Sequence, residues 1–142
     1  MNGEVDLQRL LARMSPELGP ERWVMITDAA GLAVELEQEA LGVFREKEGT
    51  TLLLNAARAE MAGLATEPCW RLITLSVHSD LQAVGFLAAL LPELARAGIS
   101  INVFSAHFHD HLLVLETQAE EALHILRVLQ QRACEATSEN SL

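Results

Sequence analysis

The sequence predicts an α/β fold of the α+β type, built around a split βαβ, ferredoxin-like unit. Between Trp70 and Arg132 the apolar pattern changes from a strand to a helix, then to two strands joined at a tight turn, and then to a second helix. That order of elements is typical of the split βαβ arrangement. We therefore expect antiparallel sheets with their helices on one face.

This unit opens with a strand predicted at 70–77. Ile73, Leu75 and Val77 alternate along the strand and share one face, while Leu72 makes the other face apolar as well. A strand with two apolar faces is typically covered on both sides. We therefore expect a central strand.

The helix that follows is predicted to begin near Asp80. Ser79 and Gln82 have the spacing of a capping box, and Gly98 suits the end of the helix. Pro92 lies inside the pattern and removes a backbone donor, which predicts a kink or an early end. The expected buried stripe consists of Val84, Leu87, Ala88, Leu91 and Leu94.

A hairpin and a final helix complete the second half. Alternating apolar residues predict a strand from Ile99 to Val103, a turn at 108–111 and an antiparallel return at 112–116. Thr117 and Glu120 repeat the capping-box spacing. The final helix is expected to bury Ala122, Leu126, Leu129 and Ala133, and the polar residues 136–142 are expected to form a frayed tail.

The first half of the chain carries weaker signals and no evident charged pocket. The patterns predict a helix at 5–14, a loop around 16–20, a strand at 21–27, a turn at 28–31 and a second strand at 32–36. Asn55 suits the N-cap of a helix through Met61 that Gly63 ends. Because the segment 65–68 is polar and contains proline, we expect one domain at 1–65 and another at 66–135.

Composition argues against several functions. The chain of 142 residues has 20 acidic and 10 basic residues, a net charge of −10, so we expect no nucleic-acid partner. Its first residues lack the basic and apolar regions of a secretory signal, and the longest apolar run is about half the length of a membrane span. Cys69 and Cys134 have no metal-like spacing. We expect a cytoplasmic protein with reduced thiols and no membrane contact.

Three stretches of the second half, 75–86, 97–103 and His109-Asp110-His111, resemble the ACT-domain family. Residues 42–54, a Phe-Arg-Glu stretch followed by Glu-Gly and an apolar strand, resemble the first half of small proteins with two tandem ACT-like domains. The resemblance implies two ACT-like βαββαβ units, the N-terminal one degenerate. It also implies a non-enzymatic regulatory protein that binds a small molecule without a cofactor. ACT units often associate through sheet edges or helix faces, so we expect a homodimer.

A ligand site is predicted where the strand at 70–77 leads into its helix. The first backbone N–H groups of a helix lack intrahelical acceptors and lie at the positive end of its dipole, which suits a carboxylate. An amino acid would also place its ammonium group near Asp80 or strand carbonyls. The alternative is that Ser79 and Asp80 only cap the helix and Gly85 only packs it. The candidate ligand residues are Ser76, Val77, His78, Ser79, Asp80 and Gly85.

Histidines supply a second hypothesis. His107, His109 and His111 are two positions apart, so on a continuous strand they would share one face and could bind zinc or nickel. Asp110 between them favours a turn instead, in which the same residues shape a hairpin. A metal-binding protein or hydrolase is therefore the first alternative function, although we expect no metal.

An interaction scaffold without a ligand is the second alternative, because the helices have apolar faces. The sequence contains no glycine-rich phosphate loop, no nucleophile elbow and no His-Glu-x-x-His zinc helix. We therefore expect no catalytic residues.

Overall fold

The computed structural model of the protein describes residues 6–28, 34–80 and 82–139. Its elements are, in chain order, α1 (Leu7–Arg13), β1 (Pro16–Asp28), α2 (Val34–Glu39), β2 (Gly42–Arg45), β3 (Thr50–Asn55), α3 (Ala56–Met61), β4 (Trp70–Leu75), α4 (Phe86–Arg96), β5 (Ile101–Ser105), β6 (Asp110–Leu115), a 3₁₀ turn (Glu116–Gln118) and α5 (Ala119–Glu139). The mixed α/β fold class is confirmed.

The chain forms two compact units. Unit 1 combines Met1–Gly19 with Leu72–Leu142, and unit 2 is Pro20–Arg71. The units are therefore interleaved along the chain, whereas the domains expected at 1–65 and 66–135 follow one another. Strand β1 begins in unit 1 and continues into unit 2.

The strands of unit 1 have the order β1-β4-β6-β5, with β1 represented by its first residues. Strands β5 and β6 pair antiparallel from Ile101↔Val114 to Ser105↔Asp110, which confirms the hairpin. Strand β4 lies between two neighbours, which confirms the central strand. The first residues of β1 are therefore the neighbour of β4 in the sheet of unit 1.

The predicted loop around Pro16 and Gly19 is wrong, because both residues belong to β1. Pro16 is the first residue of the strand, a position where its missing N–H is tolerated. An added Cβ at Gly19 would lie 3.5 Å from the carbonyl oxygen of Leu72. Pairing with β4 is a non-local interaction, which local turn propensities do not reveal.

Helix α1 packs against α4 and α5 within unit 1. The Asp6 side chain caps it by accepting a hydrogen bond from the Arg9 backbone N–H at 3.0 Å. At the other end, the Ala12 carbonyl accepts hydrogen bonds from Gln130 Nε2 at 3.1 Å and Cys134 Sγ at 3.2 Å. The helix predicted at 5–14 is confirmed over its described part.

The core of unit 1 is formed by apolar side chains of α1, β4, α4, β6 and α5. The helix α4 contributes every fourth residue, the spacing that places side chains on one helix face. The members with no exposed surface are Leu10, Met14, Ile73, Leu75, Leu90, Leu94, Leu112, Val114, Ala122 and Leu126.

Helix α5 differs from its prediction at both ends. Thr117 lies within the 3₁₀ turn before the helix rather than at the N-cap that the capping-box spacing predicts. The helix continues through residues 136–139, where the sequence predicts fraying. There the Thr137 hydroxyl donates to the Ala133 carbonyl at 3.1 Å. Residues 140–142 lie outside the described part.

The strands of unit 2 have the order β2-β3-β1. Strand β1 pairs antiparallel with β3 from Trp23↔Asn55 to Asp28↔Thr50, and β2 pairs with β3 from Gly42↔Leu53 to Arg45↔Thr50. The strand predicted at 21–27 and the apolar strand near 50–54 are confirmed. The core beside them consists of Val24, Leu54, Ala56, Ala59 and Cys69.

The second strand predicted at 32–36 is wrong over its described part, because 34–36 belong to helix α2. Glu35 and Glu37 lie in the first turn of α2, where the interaction of acidic side chains with the helix dipole stabilises the helix. The rest of that strand and the turn predicted at 29–31 lie outside the described residues.

The predicted start and end of helix α3 are confirmed. Asn55 Oδ1 accepts a hydrogen bond from the Ala57 N–H at 2.9 Å, and Gly63, which follows the helix, has φ +73°. Arg58 Nε donates to Glu39 Oε2 at 2.6 Å, and this hydrogen bond raises the pKa of Arg58. The ion pair joins α3 to the end of α2.

Candidate functional site

The segment between β4 and α4 is a series of turns rather than a helix start. The Ser79 N–H donates to the Val77 carbonyl at 3.1 Å. Asp80 Oδ1 accepts a hydrogen bond from the Gln82 N–H at 2.8 Å, and the Asp80 carbonyl accepts one from the Ala83 N–H at 2.9 Å. The capping box predicted from Ser79 and Gln82 is therefore wrong, because the backbone N–H groups of both residues donate hydrogen bonds within the turns. Leu81 lies outside the described residues.

Helix α4 begins later than predicted, at Phe86, with Gly85 as its N-cap. Gly85 has φ +92°, a conformation that glycine adopts more readily than other residues. The N–H groups of the first helical turn have no intrahelical acceptor. The donors expected near Asp80 are thus found at residues 86–88.

The later start changes which residues α4 buries. Its buried side chains are Phe86, Leu90 and Leu94, whereas Val84 precedes the helix and is 87% exposed. The helix continues through Pro92 and ends at Arg96, before Gly98 with φ +73°. Of the predicted stripe, Leu94 is buried and Leu87 and Leu91 are partly buried against the core, whereas Val84 and Ala88 are exposed, so the prediction is wrong at those two positions.

Asp110 on β6 is a buried acidic residue of unit 1, with 8% of its surface exposed. Ser105 Oγ donates to Asp110 Oδ1 at 2.6 Å. Ser79 Oγ lies 3.4 Å from Asp110 Oδ2, at the long limit of a hydrogen bond. In the described parts of the chain, Asp110 has no ion-pair partner. The loop after β4 therefore meets the β5–β6 hairpin at a carboxylate whose second oxygen is weakly bonded.

These segments enclose a cleft of about 200 Å³, the unit 1 cleft. The loop, the first turn of α4 and the hairpin line it with Ser79, Asp80, Ala83, residues 85–88, Ser105, Ala106 and Asp110. Of the predicted ligand residues, Ser79, Asp80 and Gly85 line the cleft, whereas Ser76, Val77 and His78 do not. Their roles in binding stay predictions.

Sequence reasoning missed Asp110 as a candidate cleft residue and treated it only as part of a turn. The available signal was a carboxylate two positions before the apolar run Leu112–Leu115, with a serine hydroxyl five positions earlier than the carboxylate. That spacing matches the observed pairing of Ser105 with Asp110 across the hairpin.

Aromatic rings join the same loop and hairpin at the surface. The Phe108 ring centroid lies 5.5 Å from that of His78 and 4.8 Å from that of His107. Phe108 is 61% exposed. His78, a predicted ligand residue, thus contacts the hairpin turn rather than the cleft.

The histidines do not form a three-residue metal cluster. His107 and His109 lie in the turn between β5 and β6, whereas His111 lies in β6. Across residues 6–28, 34–80 and 82–139, no three His, Cys, Asp or Glu side chains come close enough to share an ion. The geometry therefore gives no support to the metal alternative.

His111 has a different environment from its neighbours. Its Nδ1 atom lies 2.9 Å from Thr74 Oγ1 on β4. Burial lowers the pKa of His111, the charge of His109 lowers it further, and Asp110 partly opposes both effects. The neutral imidazole is therefore favoured here.

Unit 2 contains another cavity, of about 260 Å³, which the sequence did not reveal. It is lined by Arg22, Asn55, Glu60 and Thr66, together with Pro20, Ala56 and Ala57. Arg22 Nη2 lies 4.0 Å from Glu67 Oε1; the Arg22 side chain is about half exposed and the Glu67 side chain is largely exposed. The lining of this cavity contains both charge signs, whereas the charged side chains that line the unit 1 cleft are two carboxylates, with no basic side chain among its described lining residues.

The sheets, their helices and the unit 1 cleft define a small α/β protein of the ferredoxin-like class. Family models described as ACT domain match residues 2–71 and 66–128. The chain belongs to the ACT-domain family, with two ACT domains in tandem, as the sequence resemblance implies. This membership supports a ligand-binding regulatory role. No curated protein matches the sequence.

Solved structures have the same fold. A crystal structure of a protein of unknown function from Vibrio cholerae, described as a possible transport protein, is 44% identical with TM-score 0.75 and covers 83% of this chain and 91% of its own. The regulatory subunit of aspartate kinase from Thermus thermophilus is 13% identical with TM-score 0.62, covering 82% of this chain and 97% of its own. The Thermus flavus counterpart is also 13% identical, with TM-score 0.59, covering 80% of this chain and 95% of its own.

Among the helices in the described parts of the chain, none combines the length and apolar character that a membrane crossing requires.

Proposed function

We propose that the chain is a non-enzymatic regulatory protein that binds a free amino acid in the unit 1 cleft. The proposal rests on one observation: a group that can bind an anion and a group that can bind a cation both line this cleft. The first turn of α4 offers N–H donors, and the hairpin offers the buried carboxylate of Asp110. An α-amino acid carries the complementary pair of charges on one carbon atom.

The carboxylate of the ligand is assigned to the first turn of α4. Helix N-termini bind anions because unpaired N–H groups and the helix dipole act together. Gly85 begins this turn, so no side chain covers the backbone at that position. The ammonium group of the ligand is assigned to Asp110 Oδ2, whose contact to Ser79 is long at 3.4 Å.

The regulatory part of the proposal rests on family membership. Two aspartate kinase regulatory subunits share the fold. At 13% sequence identity, this similarity supports the fold alone. In this proposal, ligand binding stabilises the contact between the loop after β4 and the β5–β6 hairpin. A regulated partner would sense that change through differential affinity for the two states.

The direct test is a thermal-shift screen over the free amino acids, followed by calorimetry. A ligand that binds only the folded state raises the melting temperature in a concentration-dependent manner. We expect at least one amino acid to do so, and Asp110→Asn to weaken its binding by at least about tenfold, since a charge-assisted hydrogen bond is lost. The matched control is Glu60→Gln, which removes one carboxylate outside the unit 1 cleft. Lack of binding by every amino acid would reject the proposal.

A homodimer is the proposed assembly, with unit 1 supplying much of the contact. Strand β5 lies at one end of the strand order of unit 1, so its outer backbone groups can pair with another strand. Twofold symmetry would let the same edge serve both copies. Light scattering at micromolar concentration, with and without the best ligand, tests this assembly, and a monomer in both conditions excludes it.

A cytoplasmic location is also proposed. Neither Cys69 nor Cys134 forms a disulfide in the described parts of the chain, which suits a reducing compartment. Fractionation of cells that express the protein tests the location.

The metal-binding alternative keeps a simple test of its own. Elemental analysis of untagged protein would have to find near-stoichiometric zinc, nickel or iron that disappears in His109→Ala and His111→Ala. That result would favour a metalloprotein over an amino-acid sensor.

A further inference from the structure

We infer that strand β2 of unit 2 is a docking edge for an extended segment of another protein, in which apolar residues alternate with lysine or arginine. The partner segment adds a strand to the sheet beside β2, so that backbone hydrogen bonds hold it and side-chain contacts select it. This inference goes beyond the amino-acid site of unit 1 and does not depend on it.

Strand β2 exposes apolar side chains at the edge of a sheet. It ends the strand order of unit 2 and has β3 as its one neighbour in the described parts of the chain. Leu41 before the strand and Val43 and Phe44 within it are exposed, Phe44 by 68%. By contrast, β5 at the edge of unit 1 exposes Asn102 and Ser105, and its apolar side chains are half-buried. An exposed apolar edge is typical of a surface that another chain covers.

Hydrogen bonds in the turn after β2 determine which backbone groups of the strand point outwards. The Glu46 N–H donates to the Gly49 carbonyl at 2.9 Å, and the Gly49 N–H donates to the Glu46 carbonyl at 3.3 Å. Hydrogen-bonded and non-hydrogen-bonded positions alternate along an antiparallel pair. Phe44 is therefore bonded to β3, whereas the N–H and carbonyl groups of Val43 and Arg45 point to the side where a further strand would lie.

The Phe44 ring lies next to a carboxylate on one face of this sheet. Phe44 is opposite Thr51 in the register with β3, so its ring lies on the face away from Leu54 and the unit 2 core. On the same face, the Thr51 hydroxyl donates to Glu46 Oε1 at 2.9 Å. Gly42, two positions before Phe44, leaves the other side of the ring without a side chain. An added strand therefore meets an apolar ring followed by a negative charge.

The local charge determines the chemistry of the partner. The segment 34–48, which contains α2 and β2, has five acidic residues and two basic ones. Arg45 Nη2 lies 3.4 Å from Glu37 Oε2, so one of the two cations is already paired within the chain. A second copy would bring the same negative segment to the edge and be repelled, whereas lysine or arginine on a partner would be attracted. The occupant is therefore a basic segment of a different protein.

The test begins with selection from a phage-displayed library of random dodecapeptides on the full chain, followed by fluorescence anisotropy of the enriched peptides. We expect these peptides to alternate apolar residues with lysine or arginine, and to bind more weakly as the salt concentration rises. Phe44→Ala should weaken their binding by at least about tenfold, since the ring is the main apolar contact. Phe108→Ala is the matched control, because Phe108 is an exposed phenylalanine of unit 1, and it should leave binding unchanged. Melting curves establish that each variant folds.

Two further measurements test the strand geometry. Val43→Pro removes an N–H that points away from β3 and should weaken peptide binding, whereas Val43→Ala retains that N–H and should have a smaller effect. Bound peptide should also slow amide hydrogen exchange at Val43 and Arg45, and leave Phe44, which β3 already protects, nearly unchanged. The exchange measurement uses the unchanged protein, so it decides the geometry even if Val43→Pro does not fold.

Four results would overturn the proposal. The first is a library that yields no peptide whose binding depends on Phe44. The second is enrichment of acidic or uncharged peptides, which contradicts the argument from charge. The third is slowed exchange at β5 instead of β2, which places the peptide at the other edge. The fourth is a dimer in light scattering that Phe44→Ala and Val43→Pro dissociate and Phe108→Ala does not, which assigns the edge to a second copy.

Discussion

The Nδ1 atom of His111 on β6 lies 2.9 Å from the Oγ1 atom of Thr74 on β4. The two residues therefore form a side-chain hydrogen bond across neighbouring central strands of unit 1. The low pKa of His111 follows from its burial and from the nearby charge of His109, whose ring centroid is 6.3 Å away. The burial that lowers this pKa links the protonation of His111 to the stability of the folded protein.

The first prediction concerns acid stability. In the unfolded chain His111 takes up a proton as the pH falls through about 6.5, whereas in the folded chain its lowered pKa delays protonation. The unfolded state then binds more protons, so the free energy of unfolding falls as the pH drops below about 6.5. His111→Gln should flatten this fall in denaturant titrations between about pH 7.5 and pH 5.5. The control is His124→Gln, since His124 is exposed on α5; an equal flattening in both variants contradicts the assignment to His111.

The second prediction concerns the pairing of Ser105 with Asp110. A 2.6 Å hydrogen bond to a buried carboxylate should give a coupling energy of about 1–2 kcal/mol in a double-mutant cycle of Ser105→Ala and Asp110→Asn. The contact of Ser79 to the same carboxylate is 3.4 Å long, so the corresponding cycle with Ser79→Ala should give a clearly smaller value. Chemical denaturation of the six proteins, of which the unchanged protein and Asp110→Asn serve both cycles, measures both coupling energies. A larger coupling for Ser79 would show that the loop, rather than the hairpin, holds Asp110.

The third prediction concerns the start of α4. Gly85 has φ +92°, and an added Cβ would meet nothing nearer than Leu7 Cδ2 at 3.8 Å, so the cost of a side chain there is conformational. Gly85→Ala should lower the free energy of unfolding by about 1–2 kcal/mol. Gly19→Ala is the matched control, because its added Cβ would make an ordinary 3.5 Å contact. Equal effects of the two substitutions would argue against strain at Gly85.

The fourth prediction concerns helix α1 as a part of unit 1. Leu10 has no exposed surface and belongs to the core that β4, α4 and α5 complete. Leu10→Ala should therefore destabilise the protein by about 2–5 kcal/mol. Leu41→Ala removes the same atoms at a site that is 54% exposed and should have a much smaller effect. Hydrogen exchange of β4 and β6 should increase in Leu10→Ala, and unchanged exchange there would contradict the placement of α1.

The elements whose signals are local could be predicted from the sequence. Alternating apolar residues define β4, β5 and β6; Asn55 caps α3 through its own side chain; and Gly98 follows α4 in the left-handed conformation. Such signals act over a few residues, so they can be read without the rest of the molecule. The tandem ACT resemblance likewise came from short stretches, three in the second half and residues 42–54 in the first.

The features that depend on distant partners could not be predicted in this way, because they follow from tertiary contacts. The segment at Pro16 became a strand because it lies beside β4, and α4 began at Phe86 because the preceding residues form turns that contact the hairpin. Asp110 became a buried carboxylate in a cleft because Ser105 and Ser79 converge on it. The free energy of each arrangement comes from contacts between residues far apart in the chain, and local propensity contains no information about those contacts.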